Sequence, residues 1–147
     1  MWPNFYWWTG FNGRQLPRIP KKVYQVCGPI STGGLGSMDA NVIRFRFAIC
    51  ELQRRGYNVF DQMPLQSAIV RVMKVAWREP GYCLPIMDAI YRGIFASGYV
   101  DVAIFLPDWL SSVGTRDERK MSHEFKIQIE EYPENWLRGF KSLQGVA

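Results

Sequence analysis

Seven consecutive residues, Val100-Asp-Val-Ala-Ile-Phe-Leu106, carry one polar side chain among six apolar ones. A strand with one wet face alternates, whereas a nearly unbroken apolar run predicts a strand covered on both faces, as in a parallel sheet. Helices layered on both sides of the sheet provide that cover. The rest of the chain supplies the matching parts. Val23-Tyr-Gln-Val-Cys27 is a short β-favouring run that ends at Gly28-Pro29, Tyr57-Asn-Val-Phe60 is another, and Phe125-Lys-Ile-Gln-Ile129 alternates like a strand. Between them, Met38, Val42, Phe45, Ile49 and Leu52 fall at helical spacing over 38–55, with Ser37 as N-cap and Gly56 as terminator. Residues 64–77 (closed by Pro80-Gly81), 84–97 (with Pro85 in the first turn) and 133–143 also read as helices. Strands alternating with helices predict a three-layer α/β sandwich with a mainly parallel sheet of four or five strands.

A length of 147 residues fits one domain, residues 21–147, preceded by an irregular arm over 1–20. The arm holds Trp2, Phe5, Tyr6, Trp7, Trp8 and Phe11 and is expected to pack on its own domain or on a neighbouring subunit. Its start lacks a basic segment and a small-residue cleavage site, and no apolar run matches a bilayer's thickness, so a cytoplasmic protein without a membrane partner is expected. The formal charge of +5 invites an anionic partner. The basic residues are scattered in ones and twos, which favours a nucleotide or other phosphorylated small molecule over a polynucleotide. Cys27, Cys50 and Cys83 form no Cys-x-x-Cys pair and His123 is the single histidine, a poor ligand count for zinc. Three reduced thiols packed as small hydrophobes are expected. His123, without a cysteine or serine partner at a recognisable spacing, is expected to face solvent or cap a helix.

In such sheets ligands bind beyond the carboxyl ends of strands, where loops lead into helix N-termini. Two loops stand out there. Gly28 to Ser37 has four glycines in ten residues, which allow close backbone approach to a ligand or serve a simple turn. It is no P-loop, and Asp39 interrupts a dinucleotide fingerprint. In the second loop, Ser112, Gly114 and Thr115 precede a helix whose free N–H groups suit a phosphate or carboxylate. Glu118 follows about one turn later. A carboxylate beside an anion cradle is a nucleophile for an electron-poor sugar carbon, or else Asp117 and Glu118 are first-turn acids favoured by the helix dipole. Trp109 either stacks on a base or wedges against the arm.

Val23-Tyr-Gln-Val-Cys-Gly-Pro-Ile30, Asn41, Phe45, Asn58-Val-Phe60 and Phe105-Leu-Pro-Asp-Trp-Leu-Ser-Ser-Val-Gly-Thr-Arg-Asp-Glu118 together resemble the nucleoside 2-deoxyribosyltransferase superfamily, closest to its branch of deoxynucleoside 5′-monophosphate N-glycosidases. The likeness spans residues 22–130 and leaves out the arm and 62–83. It implies a flavodoxin-like fold, a homodimer or larger homo-oligomer, and no cofactor or metal. It implies that Glu118 attacks C1′ of a nucleoside or nucleoside monophosphate and expels the base, with Tyr24 positioning it and Asp88 as a further catalytic carboxylate. It implies a 5′-phosphate held by Ser112 and Gly114, with Thr115 and Arg116 beside them. Gly28, Pro29, Ile30, Ser31, Gly33 and Gly34 would line the nucleotide pocket, with Asp101 and Trp109 as further substrate contacts. The chain departs from the family's pattern at two points: Asp88 lies farther from Asp101 than the usual spacing, and the first loop lacks the arginine of some hydrolases. Base exchange between nucleosides and nucleotide binding without turnover are the alternatives.

Overall fold

The N-terminal arm contains paired strands where an irregular segment was predicted: β1 (Trp7–Thr9) and β2 (Gln15–Pro17) run antiparallel. Tryptophan and threonine favour such extended pairing. The computed structural model describes residues 7–9, 15–17, 21–76 and 84–144; how the arm's side chains pack lies outside the described residues, as does the expected stop at Pro80-Gly81. The main sheet holds β3 (Val23–Cys27), β4 (Asn58–Val59), β5 (Val102–Phe105) and β6 (Gln128–Glu131) in the order β4-β3-β5-β6, with every pair parallel. All four residues of β5 are buried, as its apolar run requires.

Among the described residues five helices cover this sheet: α1 (Met38–Arg54), α2 (Met63–Ala76), α3 (Leu84–Ala96), α4 (Val113–Glu124) and α5 (Arg138–Gln144). The α1 stripe is buried at Phe45, Ile49 and Leu52, and Ser37 caps the helix by accepting from the Ala40 N–H at 3.2 Å. The predicted helix over 133–143 divides into a 3-10 turn, Glu134–Leu137, and α5. Strand periodicity sorts the core into two layers. Val26, Ile104 and Leu106 pack with Phe45, Ala48, Ile49, Leu52 and Leu137 on one face. Cys27, Ala103 and Phe105 pack with Ile69, Tyr91, Phe95 and Met121 on the other. The chain is therefore a three-layer α/β sandwich.

The last strand begins three residues later than its alternation predicted. Helix α4 runs to Glu124 and closes through Lys126 at φ 56°, with the Ile127 N–H bonded back to the Ser122 carbonyl at 2.9 Å. That closing turn takes up residues 125–127 before pairing starts. From β3 the chain crosses to β4 on one side, while β5 and β6 lie on the other, so the order in which strands are added reverses between β3 and β5 although all four run parallel. Loops leaving the carboxyl ends of those two strands part there and leave a crevice. Among the described residues no helix is long and apolar enough to cross a membrane.

Candidate active site

The crevice is built from two loops docked on each other. Asn41, fully buried in α1, donates to the carbonyls of Ile30 (3.1 Å) and Gly33 (3.0 Å) and accepts from the Leu35 N–H (2.8 Å). This folds the first loop back over the helix start. Gly33 and Gly34 both have left-handed backbones (φ 67° and 68°). A methyl group on Gly33 would run into the Ser111 backbone, and one on Gly34 into the Asn41 amide oxygen. Gly33 thus lets the two loops meet, and Gly34 lets the first loop close on α1. The Gly34 N–H also donates to Ser111 Oγ at 2.8 Å. From the other wall, Arg44 of α1 makes a two-pronged pair with Asp108, both bonds 2.8 Å, which fixes the turn after β5.

That turn is a 3-10 segment, Trp109–Ser111, leading into Ser112 in extended backbone. Ser112 caps α4 by accepting from the Thr115 N–H at 3.4 Å. Thr32 reaches across from the first loop: its hydroxyl lies 3.2 Å from Ser112 Oγ and accepts from the Val113 N–H at 3.2 Å. Two of the first-turn N–H groups are thus already engaged, while that of Gly114 has no partner among the described residues.

Glu118 is the sixth residue of α4, in its second turn. The helix dipole fades beyond the first turn, so the first-turn-acid reading does not account for this carboxyl. It is 4% exposed. Burial raises its pKa to about 8; the adjacent Cys27 thiol opposes the rise, and the charge of Asp117 adds to it. Burial, and then Glu118 itself, push the Cys27 thiol well above its ordinary value. The carboxyl therefore holds its proton at neutral pH until something in the cleft favours its ionised form.

Glu118 lines a cleft of about 30 Å³ together with Gly28, Ile30, Ser31, Ser112, Gly114 and Thr115 from the two loops, and Gln62, Gln66 and Tyr91 from the opposite wall. That volume holds roughly one water molecule. Filled ligand pockets reach ~300 Å³ or more, so a ligand the size of a nucleoside requires the walls to part. Gln66 is held by the Tyr91 hydroxyl, which donates to its Oε1 at 3.0 Å. Gln62 is 2% exposed, and its Oε1 has no hydrogen-bond partner among the described residues. An unmet buried acceptor on a cleft wall is a binding feature in waiting.

The expected site residues divide accordingly. Glu118, Gly28, Ile30, Ser31, Ser112, Gly114 and Thr115 come together around the cleft. Pro29, Gly33 and Gly34 belong to the loop-to-loop contact beside it. Tyr24 is a correction. Period-two alternation puts it with Val26 on the α1 face, packed edge-on against Tyr57, while Cys27 carries the Glu118 face. It cannot position Glu118 from there. Asp101 is a second correction, because it precedes β5 at the amino edge of the sheet and its carboxylate accepts from the Val23 N–H at 2.7 Å. Trp109 stacks on the Arg119 guanidinium, 4.3 Å away, and edge-on against Phe105, outside the cleft lining. Arg116 is exposed and does not line the cleft either. Asp88 lies in α3, but its side chain falls outside the described residues.

Thr32, Gln62, Gln66, Tyr91 and the Cys27–Glu118 contact were not anticipated. Gln62 and Gln66 carried a signal: two amides four residues apart at the start of a helix that follows a strand's carboxyl end. Cys27 is buried as expected, Cys50 is exposed contrary to expectation, and Cys83 lies outside the described residues. His123 is exposed in the last turn of α4.

Compared with family models, with curated proteins and with solved structures, the chain matches none. The resemblance to deoxyribosyltransferases therefore rests on the motifs alone.

Proposed function

We propose that the protein cleaves the N-glycosidic bond of a deoxynucleoside unit, as the nucleoside or its 5′-monophosphate, with Glu118 as nucleophile. One observation carries this reading: a buried carboxyl on a cleft wall, facing two loops at the topological switch point of a parallel sheet. The ionised Glu118 attacks C1′, the C1′–N bond breaks with its electron pair leaving on the base, and water then resolves the glycosyl-enzyme ester. Incubating purified protein with deoxynucleosides and their 5′-monophosphates should release free base, and Glu118→Gln should abolish that release. Equal inertness of both proteins across the panel would end this reading. Because the attacking form is the carboxylate, kcat/KM of the free enzyme should climb with pH and level off above about 8.

Two further readings remain open to test. Base exchange would appear as transfer to an added free base with suppressed hydrolysis. Nucleotide binding without turnover is favoured by the protonated carboxyl, which is no nucleophile, and would give saturable binding without product. The homo-oligomer and the cytoplasmic setting implied by the resemblance are part of the same proposal. Exposed Leu110 and Val113, flanking Ser112 in sequence, offer apolar surface for self-association, which sedimentation measures.

A further inference from the structure

A second and larger cavity, of about 350 Å³, lies between the middle of α1 and the start of α2 and shares no lining residue with the Glu118 cleft. Ligand sites begin at ~300 Å³, so this one admits a small molecule without its walls parting. Helical spacing builds both walls. Arg46, Ile49, Cys50 and Gln53 follow one another at the three- and four-residue steps that share a helix face. Met63 and Ser67 do the same on α2, beside the pair Gln62 and Gln66 that looks into the cleft.

Charge makes the cavity selective. Among the described residues, Arg46 and Asp61 are the charged groups in its lining, of opposite sign, and they do not pair with each other. Along the same helix and its cap the other arginines are engaged, Arg44 with Asp108 and Arg54 and Arg55 with Glu51. Arg46 has no hydrogen-bond or ion-pair partner among the described residues. Asp61 accepts from the Met63 N–H through Oδ1 at 2.9 Å, which fixes the turn into α2 and leaves Oδ2 open. Between the two charges the lining is apolar, with Ile49, Met63 and Pro64. A simple anion would match Arg46 but meet the carboxylate of Asp61, and a simple cation would meet the guanidinium. A molecule with both charges and an apolar body answers every part of this lining.

We propose that this cavity binds a small apolar α-amino acid. The ligand carboxylate lies on the Arg46 guanidinium, whose forked N–H groups suit it, and the ligand ammonium on Asp61 Oδ2. The ligand side chain covers Met63 and Pro64. Arg46 and Asp61 are both exposed, and exposed ion pairs are weak, so the dissociation constant is of the order of 1 mM.

The test is a titration of the full chain with L-leucine, followed by two-dimensional amide NMR. The amides of Cys50, Gln53 and Met63 should shift saturably while those of Gly28 and Gly114, in the Glu118 cleft, stay in place. Two analogues separate the charges: 4-methylpentanoate lacks the ammonium and 3-methylbutylamine lacks the carboxylate. Each should bind at least about threefold more weakly than L-leucine, and Arg46→Gln and Asp61→Asn should each weaken L-leucine by a similar factor. Asparagine keeps an acceptor for the Met63 N–H, so the turn into α2 survives in that variant. Absence of a saturable shift overturns the inference, as does binding of either analogue as tight as that of L-leucine. Undiminished affinity in both variants overturns it too, and shifts centred on Gly28 and Gly114 would place the ligand in the other cleft.

Discussion

Glu118 keeps its proton to about pH 8 in the folded chain, whereas an unfolded chain releases it near 4.5, the ordinary value. Between those values the folded state binds more protons, so stability falls as pH rises, by up to ~1.4 kcal/mol per unit for this one group. Its contribution is neutral below pH 4.5 and reaches its full cost above 8. Glu118→Gln removes the ionisation. The variant should match wild type near pH 4 and exceed it by roughly 3–5 kcal/mol above pH 8, as read by urea unfolding at both pH values. Parallel stability curves would show that the carboxyl titrates normally. Gln25 is a second residue whose burial costs stability. It is 0% exposed in the middle of β3, and neither of its amide atoms has a partner among the described residues. An unmet buried amide costs about 1–3 kcal/mol, and methionine fills a similar volume. Gln25→Met should raise the unfolding midpoint by a corresponding amount, and a lower midpoint would mean that the amide meets a need not visible in the fold.

The elements differ in how openly the sequence declared them. Strands β3 and β5 and helix α1 were legible because apolar runs and 3.6-residue spacing reflect burial directly. β6 was misplaced by three residues because the end of α4 is set by a backbone feature, the left-handed Lys126, that side-chain patterning does not reveal. A non-glycine residue there costs about 1–2 kcal/mol, offset in part by glycine's greater loss of freedom on folding. Lys126→Gly should stabilise the protein by roughly 0.5–1 kcal/mol, measurable as a rise in Tm of a few degrees. The two misassigned site residues were open to correction from the sequence alone. Tyr24 and Cys27 differ by an odd number of positions on one strand and so face opposite layers. Asp101 stands just before its strand and so lies at the edge away from the loops. In both cases the motif likeness outweighed geometry that was already available. Thr32 was not legible, because a loop's docking partner depends on how the two loops meet, whereas Gln62 and Gln66 left a signal in their spacing that went unread.

At the scale of the whole molecule, the reversal of strand order between β3 and β5 brings the carboxyl, the α4 start and both loops together, and the docked loops hold that crevice nearly shut. A nucleoside enters a space of about 30 Å³ only if the α2–α3 wall and the loop wall separate. Binding is therefore coupled to an opening whose free energy subtracts from affinity. The Cys27 thiol is sealed beside Glu118 at 0% exposure, while Cys50 is exposed on α1. The molecule thus contains its own reporter of that motion, read as the arrival time of an alkylating reagent. In a protein treated with iodoacetamide and sampled by peptide mass spectrometry, Cys50 should be carboxamidomethylated early and Cys27 only as fast as the walls separate. A bound nucleoside should slow Cys27 and leave Cys50 unchanged, whereas equal rates at both thiols would show that the crevice stands open. The contact that eases the ionisation of Glu118 would then also record how often its chamber admits a visitor.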